Sequence, residues 1–146
     1  MVEGGIYPFV IPVARTIAGF MVGVMLGICG GWVAITFSHM VGFPWSPAVH
    51  VNMYIVAIGL GAGLGAYLGW MSFNIRWYLI AGSIMLALAG GVTGAYLGLE
   101  YGKTADPSYL GRHYTIDNMI HWGASIGGIA VASTLGVLHY LKNMGR

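Results

Sequence analysis

Charge is what this sequence has least of. Only 7% of its 146 residues are Asp, Glu, Lys or Arg, against roughly 25% in a soluble globular domain. Residues 16–75, 77–99 and 118–141 contain none at all. About 20 apolar residues cross the ~30 Å hydrocarbon core of a bilayer, so the first run can cross twice and the others once each. A formal net charge of +2 is too small to organise a nucleic-acid partner. Cysteine occurs once, at Cys29, which excludes a disulfide framework and zinc motifs built on cysteine pairs. In the middle of an apolar run it reads as a small packing residue. No charged residue falls in the interior of an expected helix, so the usual ingredients of a proton relay or an ion-coupled transporter are missing. Phosphate-cradling motifs and nucleophile–base pairings are missing too, and no enzymatic activity is expected. The first apolar run is too long for a cleavable signal peptide and is expected to remain as an anchor.

What the chain has in abundance is glycine, 25 residues, within a composition that is 58% hydrophobic. The expected fold is all-α: a single four-helix transmembrane domain over residues 1–146, with helices at about 14–37, 51–71, 77–99 and 117–141. In water each glycine in a helix costs about 0.8–1 kcal/mol against alanine. In a bilayer the helix forms regardless, because backbone groups cannot stay unpaired in hydrocarbon. The glycines then serve as places where a neighbouring helix comes close. Gly19, Gly23, Gly27 and Gly31 form one stripe on the first helix, Gly90, Gly94 and Gly98 another on the third, and Gly123 and Gly127 lie on the fourth. The second helix differs in having two bare sides. At about 100° per residue, Gly61, Gly65 and Gly69 fall on one flank and Gly59 and Gly63 roughly opposite. That helix is therefore expected in the interior, sandwiched between two others. The pentapeptide Gly-Ala-Tyr-Leu-Gly occurs at 65–69 and at 94–98, on helices of opposite direction. Such a pattern arises from an inverted repeat or from convergence in a glycine-rich sequence.

Proline and polar residues mark the connections. Pro12 fits the first turn of the first helix, where its missing N–H does no harm. Residues 39–50, with Gly42, Pro44, Trp45 and Pro47, read as a connection, with Trp45 at headgroup depth. Residues 72–76 read as a tight turn flanked by Trp70, Trp77 and Tyr78. The longest polar stretch is 100–117, with Asp117 or Asn118 placed to cap the fourth helix. Arg15, Arg76, Lys142 and Arg146 fall on one side and Lys103 and Arg112 on the other. Both termini are thus expected on the cytoplasmic or matrix face of a bacterial cytoplasmic or organellar inner membrane.

Histidine supplies the candidate ligands. His39, His50, His113 and His121 collect toward the face opposite the termini, with Met40, Met53 and Met119 near them in sequence. Imidazole and thioether suit copper, which makes these four histidines the candidate metal set beside the plainer reading of interfacial side chains. His121 and His139 share a face of the fourth helix, five turns apart. They are the candidate ligands for a haem or pigment at a partner interface, although a haem held within the chain needs histidines at matching depth on two helices.

Residues 98–128 carry a further pattern. Gly98, Tyr101, Arg112, Gly123 and Gly128 keep the spacing of a signature in which Arg is followed by Asp and a glycine pair, with Asp117 displaced by one and Ala124 in place of a glycine. The segment resembles the mitochondrial preprotein and amino-acid transporter family, which includes inner-membrane translocase channel subunits and an accessory subunit of respiratory complex I. That resemblance covers about a fifth of the chain and implies a compact four-helix inner-membrane protein. The function expected is that of a small structural or accessory subunit of a larger membrane complex, respiratory or otherwise energy-converting, because a lone four-helix protein would leave part of its small-residue faces toward lipid; its partners are other integral-membrane subunits and membrane lipids. Two alternatives stand beside it. One is a pore or translocation channel, for which the polar residues Asn52, Ser83, Thr93, Ser125 and Ser133 are scattered. The other is a haem-, pigment- or metal-binding subunit.

Overall fold

The computed structural model describes residues 7–41, 46–71, 76–106 and 111–144. They form four helices, α1 (Tyr7–Val41), α2 (Pro47–Trp70), α3 (Trp77–Thr104) and α4 (Arg112–Met144). Each is long and apolar enough to cross a membrane. The chain is an all-α, multi-pass integral membrane protein, and no strand occurs among the described residues.

The helices run further than the apolar segments alone indicate, because backbone hydrogen bonding continues through the headgroup layers where polar side chains are welcome. α1 begins well before residue 14, so Pro12 lies inside it and not in its first turn. His39 belongs to the last turn of α1 and His50 to the first turn of α2, not to a long connection. Pro47 occupies the start of α2, where a missing N–H costs nothing. Trp45, Gly42 and Pro44 lie outside the described residues, as does most of the expected turn at 72–76. The largest correction concerns α4. It starts at Arg112, directly after Gly111, whose φ of 98° is a backbone state that glycine adopts readily and other residues rarely. Asp117 and Asn118 are consequently inside the helix and cap nothing.

The expected sandwich is present. On one flank of α2, Gly61, Gly65 and Gly69 lie against Leu26, Gly23 and Gly19 of α1; on the other, Gly59 and Gly63 lie against Gly91 and Ala87 of α3. The approach is backbone to backbone. A methyl group at Gly65 would lie 2.6 Å from the Gly23 nitrogen, and one at Gly59 would lie 2.5 Å from the Val92 Cα. α2 also touches α4, where Gly128 packs on Ala62 and Gly63, whereas α1 and α3 do not touch. At the centre stand Ile55, Ile58, Ala62 and Ala66 of α2, with Ala95 and Ala124 packed near them. Large apolar side chains such as Ile17, Met25, Trp32, Leu86 and Leu97 point outward, as they do on a lipid-facing surface. Cys29 is among the exposed residues and does not pack in the interior.

α3 and α4 form a second tight pair, in which Gly90 meets Gly127, Gly94 meets Gly123 and Gly98 meets Met119. The duplicated pentapeptide now has a physical meaning. Its glycines put α2 against α1 at 65–69 and α3 against α4 at 94–98. This relates α2 to α3 and α1 to α4, whereas a tandem duplication would match α1 with α3 and α2 with α4. One packing solution has been used twice.

Candidate functional site

The polar residues that matter gather where α4 faces α1 and α2, in the half of the bundle away from the chain ends. Asp117 and His121 are four residues apart and share a face of α4. Tyr54 reaches them from α2. Its hydroxyl donates to Asp117 Oδ1 at 2.6 Å and lies 3.4 Å from His121 Nε2. The Tyr54 and His121 rings meet edge to face, 6.3 Å between centroids. Two features of α2 deliver the tyrosine. It sits seven residues past Pro47, so about 10 Å below the helix start, and its ring is held beside Gly31 of α1, where a side chain would collide with it.

These three residues border a cavity of about 440 Å³ between α1 and α4. The α1 wall is apolar, formed by Val24, Ile28, Trp32 and Ile35, and Trp122 stands on the α4 side. Phe20 and Trp122, with ring centroids 5.8 Å apart, join the two helices beside it. Trp32 and Trp122 are both exposed at the bundle surface, so the cavity opens sideways. A carboxylate at such a place needs hydrogen-bond donors, since desolvation without them costs several kcal/mol. Tyr54 supplies one, and no Lys or Arg pairs with Asp117 among the described residues. The remaining acceptor capacity of Asp117, the imidazole of His121 and the amide of Asn118 border the cavity. The arrangement can hold a head group carrying both hydrogen-bond donors and acceptors, with aromatic surface on either side.

The candidate histidines are not assembled into a metal centre. No group of three or more His, Cys, Asp or Glu within reach of one ion occurs among the described residues. His39 Nδ1 lies 3.1 Å from the Ile35 carbonyl and His50 Nδ1 3.2 Å from that of Ser46, each within its own helix turn. His113 is exposed at the start of α4. His121 and His139 border separate cavities toward opposite ends of α4. His121 stands beside Tyr54 and Asp117 in the polar cluster described above.

Asp117 and Tyr54 are the functional candidates that the sequence reading passed over. The available signal was the four-residue spacing of Asp117 and His121, together with Gly111 as a helix boundary. Arg112, part of the family resemblance, has a structural task here. Its guanidinium donates to the carbonyls of Lys103 and Ala105 at 3.1 Å each and so closes the end of α3 against the start of α4. The polar residues weighed as a path are dispersed: Asn52 accepts from Tyr96 at 3.1 Å, Ser125 is buried, Ser133 bonds its own helix and Thr93 is exposed. Compared with known proteins, the chain matches no family model, no curated protein and no solved structure.

Proposed function

We propose that this protein is a small accessory subunit of a larger, energy-converting membrane assembly, and that its chemical contribution is made at the Tyr54–Asp117–His121 cavity. There it holds the oxygen-bearing head of an amphiphile dissolved in the bilayer. The observation that carries this reading is an ionisable cluster inside a membrane-spanning bundle, open to the side and bordered by tryptophan. Intramembrane ionisable groups are expensive and are retained where they bind or relay. A ring with carbonyl or hydroxyl oxygens matches the donors and acceptors on offer, and its tail follows the apolar groove of α1. Two outer surfaces support residence in an assembly. One is a groove of about 480 Å³ along α1 and α2, apolar but for Asn52, with Phe37, Val49 and Leu60 in its walls. The other is the outer face of α3, where Gly82 has open space before it.

The test uses the full chain in nanodiscs with decylubiquinone as the probe. Saturable quenching of tryptophan fluorescence is expected, with Tyr54→Phe and Asp117→Asn each weakening it roughly tenfold or more, the scale of a lost hydrogen bond to a charged group. Quenching that does not saturate, or is equal in all three proteins, would sink the ligand reading. Gentle extraction from the native membrane tests the assembly separately, and a particle no larger than the chain in its micelle would overturn it.

A further inference from the structure

A second cavity, of about 540 Å³, lies at the other end of the bundle, where the chain ends collect. Arg15 of α1 and Lys142 of α4 both border it. The carboxylates among the described residues, Glu100, Asp106 and Asp117, all belong to the opposite end of the helices, and the ion pair these residues form, Glu100 with Lys103, is there too. The two cations therefore face this cavity with no opposite charge from the described chain. Its remaining walls mix apolar surface from Ile11, Leu79 and Leu135 with the polar groups of Tyr67 and Ser83. Trp70, only 5% exposed, stands in the same wall, and its indole N–H has no acceptor among the described residues. Packing fixes that ring, since Gly136 lies against it so closely that a side chain there would overlap it.

Two cations around a largely apolar hollow, at the end of a transmembrane bundle, call for an anionic head with acyl chains attached. We infer that this cavity is a binding site for one anionic phospholipid, its phosphate between Arg15 and Lys142 and its chains along the apolar wall. A soluble anion would satisfy the charges but leave the apolar surface uncovered. A zwitterionic lipid would bring its own cation beside the two already there.

Native mass spectrometry of the full chain, released from nanodiscs of phosphatidylcholine containing increasing phosphatidylglycerol, reads this directly. One phosphatidylglycerol is expected to remain bound at saturation. Arg15→Gln and Lys142→Gln are each expected to weaken retention roughly fivefold, and the pair roughly 25-fold, from about 1 kcal/mol per basic residue at an anionic surface. Lys103→Gln, at the far end, is expected to change nothing. Equal retention of phosphatidylcholine, equal loss in the Lys103 variant, or the same thermal stabilisation by inorganic phosphate alone would each overturn the assignment. Arg15→Lys separates charge from folding: it retains the lipid if the site is electrostatic.

Discussion

Individual glycines in this bundle are not equivalent, and their surroundings say which can change. A methyl group at Gly61 would run into the carbonyl of Leu26, and one at Gly98 into that of Met119, both rigid backbone. Gly61→Ala and Gly98→Ala are therefore expected to cost about 1–3 kcal/mol each by forcing helices apart. Gly82 has nothing within 4 Å, so Gly82→Ala is expected to be neutral or to stabilise by up to about 1 kcal/mol through helix propensity. Thermal unfolding in one detergent, read on the three variants together, checks the ranking; equal effects would mean that close packing is not what these residues provide. This residue-level contrast was half legible in advance. Periodicity alone placed Gly61, Gly65 and Gly69 opposite Gly59 and Gly63, because helical geometry fixes angles without knowledge of partners. It could not distinguish Gly82 from Gly90, since that depends on what lies across the gap. It also gave no reason to single out Tyr54, whose hydroxyl gains meaning only from two residues of another helix more than sixty positions away.

At the level of elements, the boundaries were the weak point of the sequence reading, and one of them decided the site. Charge-free runs mark where hydrocarbon is, and helices continue past it into the headgroup region. Placing the start of the fourth helix at residue 117 made Asp117 a cap; starting it at Arg112 turns the same carboxylate inward beside Tyr54. The joint that sets this boundary is Arg112, reaching back to the carbonyls of Lys103 and Ala105. Arg112→Ala removes both bonds at an exposed position and is expected to cost about 1–2 kcal/mol. A larger effect is expected on local opening, with faster amide exchange over residues 105–116 than over the centre of α2. Uniform acceleration along all four helices would show that Arg112 supports the whole bundle and not this joint. Both bonds leave from Nη1, so Arg112→Lys, whose ammonium can also donate twice but is carried on a shorter, more flexible stem, is expected to rescue in part.

Taken whole, the molecule closes its glycine surfaces upon itself, and this changes the argument for partners. The stripes of α1, α3 and α4 were reason to expect neighbouring subunits, on the premise that bare backbone would otherwise face lipid. The structure spends nearly all of them inside the chain: α1 on α2, α3 on α4, and both flanks of α2. What remains for neighbours is the outer face of α3 and the apolar groove along α1 and α2. The polar groups, meanwhile, divide by end. Arg15, Arg76 and Lys142 stand at one end, while Lys103 and Arg112 share the other with Glu100 and Asp106. Basic residues are retained on the cytoplasmic or matrix side, and acidic ones contribute little to that choice, so the excess is the ground on which we propose that the chain ends lie inside. Cysteine labelling checks the orientation in a Cys29→Ala background, harmless because Cys29 faces outward. With a membrane-impermeant maleimide, Asp106→Cys is expected to label in intact cells or mitoplasts, and Lys142→Cys only after permeabilisation. The reverse pattern would invert the protein. It would move the Arg15–Lys142 cavity to the outer leaflet and put Asp117 on the cytoplasmic side. The lipid arm of the mass-spectrometric experiment would then still stand, because it depends on charge and shape at the cavity and not on which leaflet supplies the headgroup.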